Sequence, residues 1–190
     1  MEEKREDQHY PVYEDARGTY IMNSKDLCLA PYIKELMELG IDSLKVEGRT
    51  KSIFYVAVIS RAYRKLIDEI LNNSEPDIST YIKELASAGN RGFTTNFLQD
   101  KPTIEDYNYE ISKAKAGLKF LANSISDKIK EGKLLVRVKN KLRLNDEVEW
   151  ITPKSSVPSI IEVIETIYGE KLEEANTNLE IYLNIPENID

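Results

Sequence analysis

Apolar positions change their spacing twice along this chain of 190 residues, and the changes mark out three stretches. In the first, residues 19–23 form a short β-prone run, and Ser24-Lys25-Asp26 supplies residue types that cap helices. Ile33, Leu36 and Met37 then hold the three-and-four spacing of a buried helical face, with Pro31 suited to the first turn and Gly40 to the end. Residues 41–47 read as a second strand, Gly48-Arg49-Thr50-Lys51 as a tight loop, and Ser52 as the opening of a long helix. Its apolar positions, among them Ile53, Val56, Ile59, Tyr63, Leu66 and Ile70, run to about Leu71, where Asn72-Asn73-Ser74-Glu75-Pro76 breaks the pattern.

Two consecutive strand-helix units joined by short loops predict parallel pairing, because a parallel strand needs a crossover and the helix supplies it. Two units do not close a sheet, and a parallel pair is covered on both faces. Residues 1–73 therefore read as a piece of a larger α/β barrel or layered sheet. Residues 74–104 form a helical connector, with Ile78, Tyr81, Ile82 and Leu85 on one face over 77–88 and Gly89-Asn90-Arg91-Gly92 ending it. Over 105–190 the period shortens. Residues 134–139, 146–151, 160–167 and 180–185 are short β runs divided by turn signals, the spacing of a small antiparallel barrel or sandwich.

Composition narrows the functional classes. The chain is 41% hydrophobic and 31% charged, and no stretch approaches the apolar run that crosses a bilayer. Met1-Glu2-Glu3-Lys4-Arg5-Glu6-Asp7 is charged where a signal peptide has an apolar core, so a cytoplasmic location is expected. The single cysteine, Cys28, forms no internal disulfide. With the one histidine, His9, it supplies neither a four-ligand zinc site nor a cysteine-held iron-sulfur cluster, so no metal site is expected within the chain. The net charge of −7 is spread evenly, 13 bases against 17 acids in residues 1–100 and 13 against 16 in the remainder. That argues against a broad basic surface and leaves room for a local patch.

The richest stretch chemically is Lys45-Val46-Glu47-Gly48-Arg49-Thr50-Lys51-Ser52, which puts an acid at a strand end and two cations and a hydroxyl just before a helix. Side chains at the C-terminal ends of parallel strands line the usual active-site mouth, and the N–H groups opening the next helix attract anions. Arg49 is suited to grip a carboxylate or phosphate with two parallel hydrogen bonds, while Lys51 adds a point charge. The plainer alternative is that Glu47 pairs with Arg49 and Ser52 caps the helix. Asn23 and Lys25 occupy the equivalent place one unit earlier and would face the same mouth. Cys28 reads as a packing residue, and Arg91-Gly92-Phe93-Thr94-Thr95 as a domain interface or a ligand contact. No HExxH, GxSxG or GxxxxGK pattern is present, so no catalytic residue is assigned.

The run from His9-Tyr10-Pro11-Val12-Tyr13 through Gly18-Thr19-Tyr20-Ile21-Met22-Asn23-Ser24-Lys25-Asp26-Leu27-Cys28 resembles the collagenase-like peptidase family of unknown catalytic type. Gly40-Ile41-Asp42-Ser43-Leu44-Lys45-Val46-Glu47-Gly48-Arg49, then Tyr55-Val56-Ala57 and Ala62-Tyr63-Arg64, continue the likeness in order. The resemblance implies that residues 1–73 are the C-terminal part of a TIM-like β/α barrel and that a small antiparallel β-barrel follows. Family members are named peptidases or collagenases, and relatives act in RNA hydroxylation, including prephenate-dependent hydroxylation of the tRNA wobble uridine. Several are thought to carry an iron-sulfur cluster on cysteines upstream of the part matched here. The resemblance thus implies a chain that needs the family's N-terminal half, or a second copy, as partner, with tRNA as a further partner. It also implies that the chain is a separately encoded half, a trimmed piece or a degraded gene product, inactive alone. The chain departs from the family at Asn90, where a histidine is usual, and at Asn96 and Asn145, where glycines are common. The expected function is part of an RNA-hydroxylating enzyme in which Glu47, Arg49, Lys51, Ser52, Asn23 and Lys25 hold a small dicarboxylate or phosphate. The alternatives are a peptidase acting on unfolded or collagen-like protein and a non-catalytic interaction module.

Overall fold

A computed structural model describes residues 12–16, 18–21, 24–99, 101–108 and 117–189. The chain divides into two compact units, Met1–Leu118 and Lys119–Asp190.

The first unit opens with an antiparallel hairpin of β1 (Val12–Asp15) and β2 (Gly18–Ile21), with Val12 opposite Ile21 and Asp15 opposite Gly18. The β-prone run at 19–23 was expected in a parallel unit. It pairs instead with the run two residues upstream, because a short loop costs little closure entropy. The parallel ladder consists of β3 (Asp26–Leu27) and β4 (Phe93–Thr94). Asp26 N–H donates to Gly92 O at 2.9 Å, Cys28 N–H to Thr94 O at 3.0 Å and Lys25 N–H to Asp106 O at 3.0 Å. Those bonds also correct the expected helix cap. With its amides committed to the ladder, 24–28 is no helix start, and the helix begins with a 3-10 turn at Ala30–Tyr32 leading into α1 (Ile33–Glu38). Pro31 lies in that first turn, and Gly40, at φ +81°, ends α1 by donating to Met37 O at 3.0 Å.

Residues 41–47, expected as the second parallel strand, form none. A strand exists only with a neighbour, and none is present among the described residues. Ile41, Leu44 and Val46 are correspondingly exposed. The long helix is as the periodicity predicts: α2 (Ile53–Leu71), capped by Ser52 Oγ, which accepts from Tyr55 N–H at 3.1 Å. Val58, Ile59, Ala62 and Leu66 are its buried face, whereas Ile53 and Val56 at its start remain exposed. Helix α3 (Ile78–Ser87) is capped by Asp77, buries Tyr81 and Leu85, and is joined to α2 by a largely buried ion pair, Arg61 Nε to Glu84 Oε1 at 2.7 Å. Residues 74–104 therefore pack within the first unit.

The second unit is antiparallel. A four-stranded sheet has the order β10 (Ile164–Thr166), β12 (Glu180–Asn184), β6 (Lys133–Val138), β5 (Ala122–Lys130). Two further ladders join β7 (Leu142–Arg143) to β11 (Glu174–Ala175) and β8 (Glu147–Ile151) to β9 (Ser156–Ile160). Glu131 (φ +52°) and Gly132 (φ +71°) make the two-residue turn between β5 and β6, the left-handed pair that matches strand twist. The run at 160–167 is not one strand. Asn184 Oδ1 accepts from the N–H groups of Glu162 (2.9 Å) and Val163 (3.1 Å), and its Nδ2 donates to Ile160 O, so a side chain replaces the ladder there. Val136, Val138, Leu142, Ile161, Ile164, Ala175, Ile181 and Leu183 form one buried cluster.

Candidate functional site

The Glu47–Ser52 loop is held by its own backbone. Lys51 N–H donates to Gly48 O at 3.0 Å, and Glu47 Oε1 accepts from the backbone N–H of Arg49 at 3.0 Å. Glycine at 48 lets the turn lie against α2, since a Cβ there would sit 3.1 Å from Val56 Cγ2. The carboxylate of Glu47 thus braces the loop through the main chain, and the Arg49 guanidinium has no ion pair or hydrogen bond among the described residues. Lys51 Nζ stands 4.9 Å from the centroid of the Tyr55 ring, and Ser52 caps α2 as the plainer reading expects. Glu47, Arg49, Lys51 and Ser52 are all exposed.

Burial, then the charge of Asp26, then Cys28 push the Tyr55 phenol up. In β3, Asp26 Oδ1 accepts from Arg91 Nη2 at 2.9 Å and Nε at 3.2 Å, while Asp26 Oδ2 is buried without a partner in the described structure. Sequence reasoning picked out the Arg91–Thr95 segment without assigning it a role. A pairing across 65 residues leaves no local signal.

Lys25 lies alongside: its alkyl chain packs over Gly92, where a Cβ would come within 3.3 Å of Lys25 Cδ. Beside it, Asp106 accepts from Thr94 Oγ1 and from Thr103 N–H at 2.8 Å. These bonds, the Thr94 hydroxyl foremost, hold its carboxyl below the usual carboxylate range. Asn23 lies outside the described residues. No hydrogen bond or ion pair joins Lys25 to Glu47 or Arg49 among the described residues; Lys51 and Ser52 lie against Tyr55, and Arg49 is exposed.

Two of the departures from the family's pattern are accommodated by backbone. Asn96 (φ +49°) and Asn145 (φ +66°) are left-handed, a conformation asparagine tolerates best after glycine. Asn90 ties the Arg91 loop, its Oδ1 accepting from Gly92 N–H at 2.9 Å and its Nδ2 donating to Ala86 O at 3.0 Å.

Among the described residues no group of three or more His, Cys, Asp or Glu could hold a metal ion. Cys28 is buried with its Sγ 3.7 Å from Tyr63 Oη, and one such thiol does not fit an iron-sulfur cluster. No helix among the described residues is long and apolar enough to cross a membrane.

Residues 1–108 match the description Peptidase family U32, and residues 119–190 match Peptidase family U32 C-terminal domain. The chain belongs to peptidase family U32. It is 34% identical over 193 residues to tRNA hydroxylation protein P of Haemophilus influenzae, covering 99% of this chain and 41% of that protein. It is 33% identical to tRNA hydroxylation protein P of Escherichia coli, covering 100% and 42%. A collagenase of Porphyromonas gingivalis is 35% identical over 81 residues, covering 42% of this chain and 22% of the collagenase. The chain spans about two fifths of the length of the two tRNA hydroxylation proteins.

Proposed function

We propose that this chain is part of a tRNA-hydroxylating enzyme in which Glu47, Arg49, Lys51 and Ser52, with Asn23 and Lys25 at the neighbouring strand end, hold a small dicarboxylate or phosphate. The observation that carries the reading is the alignment of both units, over 99% of the chain, with a protein named for tRNA hydroxylation. The loop's chemistry supports the ligand class, because the Arg49 guanidinium has no partner among the described residues and Arg49 lies three residues before the Ser52 cap of a 19-residue helix. In this reading residues 1–73 are the last part of a TIM-like barrel. The exposed Ile41, Leu44 and Val46 are covered by strands of the family's N-terminal half or of a second copy, and the antiparallel unit is the small β-barrel that follows. Any iron-sulfur cluster sits on cysteines outside this chain, and tRNA is the macromolecular substrate.

In the complete protein, Arg49→Ala is expected to weaken prephenate binding, followed by calorimetry, about 10- to 100-fold, the worth of a charged hydrogen-bond pair. An unchanged dissociation constant rejects the clamp. The collagenase likeness favours a peptidase only over its 42% of the chain, and the one thiol, Cys28, is buried with its Sγ against Tyr63 Oη.

A further inference from the structure

Strand register assigns the outer face of the four-stranded sheet. Val136, Val138, Ile181, Leu183 and Ile164 point into the buried cluster, so the alternate residues point out. Leu135 lies opposite Tyr182 at the centre, Arg137 opposite both Glu180 and Asn123, and Lys130 opposite Lys133. Lys130 Nζ stands 5.8 Å over the half-buried Tyr182 ring.

Charge is segregated along this unit. Residues 128–143 carry seven Lys or Arg against one acid, Glu131, whereas residues 144–189 carry two against ten. The cations differ in how firmly they are held. Lys133 is tied to Glu165 at 2.7 Å in a mostly buried pair and belongs to the scaffold. Arg137 meets Glu180 at 2.7 Å in an exposed pair, which solvent screens and another anion easily replaces. Lys128 and Lys139 have no ion pair or hydrogen bond from their side chains among the described residues.

We propose that this face binds RNA, with Tyr182 stacking an unpaired base and Lys128, Lys130, Arg137 and Lys139 holding phosphates. An aromatic ring with an exchangeable cation over its face, on a strand pair rich in further cations, suits single-stranded nucleic acid: a base takes the place of the Lys130 ammonium over the ring, and the displaced ammonium meets the adjacent phosphate. The proposal rests on the tRNA reading above and extends it to the second unit.

The test is fluorescence anisotropy of a labelled, unmodified tRNA transcript titrated with the full chain at several salt concentrations. The triple variant Lys128→Gln/Lys130→Gln/Lys139→Gln is expected to bind at least about tenfold more weakly, with a salt slope lower by about 2–3. The charge-matched control Lys119→Gln/Lys154→Gln/Lys171→Gln stays within about twofold of the parent protein. Tyr182→Ala loses about fivefold or more and Tyr182→Phe retains binding. Equal affinities of the triple variant and its control, or of Tyr182→Ala and the parent, overturn the proposal, as does a parent chain that binds no tRNA. Its failure is separable from that of the proposed function. If Glu47→Gln abolishes tRNA hydroxylation in cells while the triple variant binds normally, this face is rejected and the function stands. Binding through this face with an unchanged nucleoside profile gives the reverse.

Discussion

In the second unit, alternate residues of β6 and β12 put Val136, Val138, Ile181 and Leu183 into one buried cluster. In the first, the stretch from Leu39 to Val56 leaves Leu39, Ile41, Leu44, Val46, Ile53 and Val56 in solvent. Both stretches carry spaced apolar positions, more densely in the second unit. They differ in where the neighbours come from: antiparallel strands find partners a few residues away across tight turns such as Glu131-Gly132, whereas a parallel strand depends on segments distant in sequence. The second unit completes its own core. The first completes one around α1, α2 and α3, where Ile33, Leu66 and Leu85 are buried, and leaves the apolar residues of 39–46 exposed.

The largest test of that contrast removes a core residue from each unit. Ile181→Ala and Leu66→Ala are each expected to cost about 2–5 kcal/mol, being buried aliphatic truncations. In urea unfolding followed by circular dichroism, each variant should lower one of two transitions. A single transition lowered by both would break the contrast. Next in size, Arg91→Ala removes the partner of Asp26 Oδ1 and leaves a mostly buried carboxylate unpaired, costing about 1–3 kcal/mol in the first transition alone. Asn145→Ala forces an alanine into a left-handed turn and should cost about 1 kcal/mol in the second transition, while Asn145→Gly is neutral or slightly stabilising in a thermal melt.

The smallest effect is a pH dependence at Asp106 of the first unit. Because the Thr94 hydroxyl, then Thr103 N–H, hold the Asp106 carboxyl below its ordinary value, this link contributes stability above about pH 4 and loses it as pH falls through the depressed folded value. Lys25 N–H, which donates to Asp106 O, should lose hydrogen-exchange protection in that acid window.

Helix α2, its Ser52 cap and its end near Leu71 were legible because helical spacing and capping are local signals, and so were Gly40 at the end of α1 and the strands at β6, β8 and β12. Strand β5 was not, since Ala-Asn-Ser-Ile-Ser-Asp-Lys-Ile-Lys is nearly as polar as a loop and becomes a strand through its turn into β6. The parallel partner of β3 was misplaced for the opposite reason. Residues 41–47 have the stronger β character, yet Phe93–Thr94 takes the ladder, with Asn108 Nδ2 bonded to Arg91 O and Asp106 to Thr94 behind it. In the candidate loop the Ser52 cap was legible from its place before an apolar helical run. The Asp26–Arg91 pair was not, because neither residue's neighbours announce the other.

The measurement that bears most directly on the role of this chain is nucleoside mass spectrometry of total tRNA from cells carrying the intact gene, compared with the same cells bearing Glu47→Gln. Glu47 Oε1 braces the Arg49 loop by accepting a backbone N–H bond, so the neutral amide should weaken that brace without disturbing either core. Loss of hydroxylated uridine is the predicted result. An unchanged nucleoside profile, with the variant protein present at normal levels, would contradict the account.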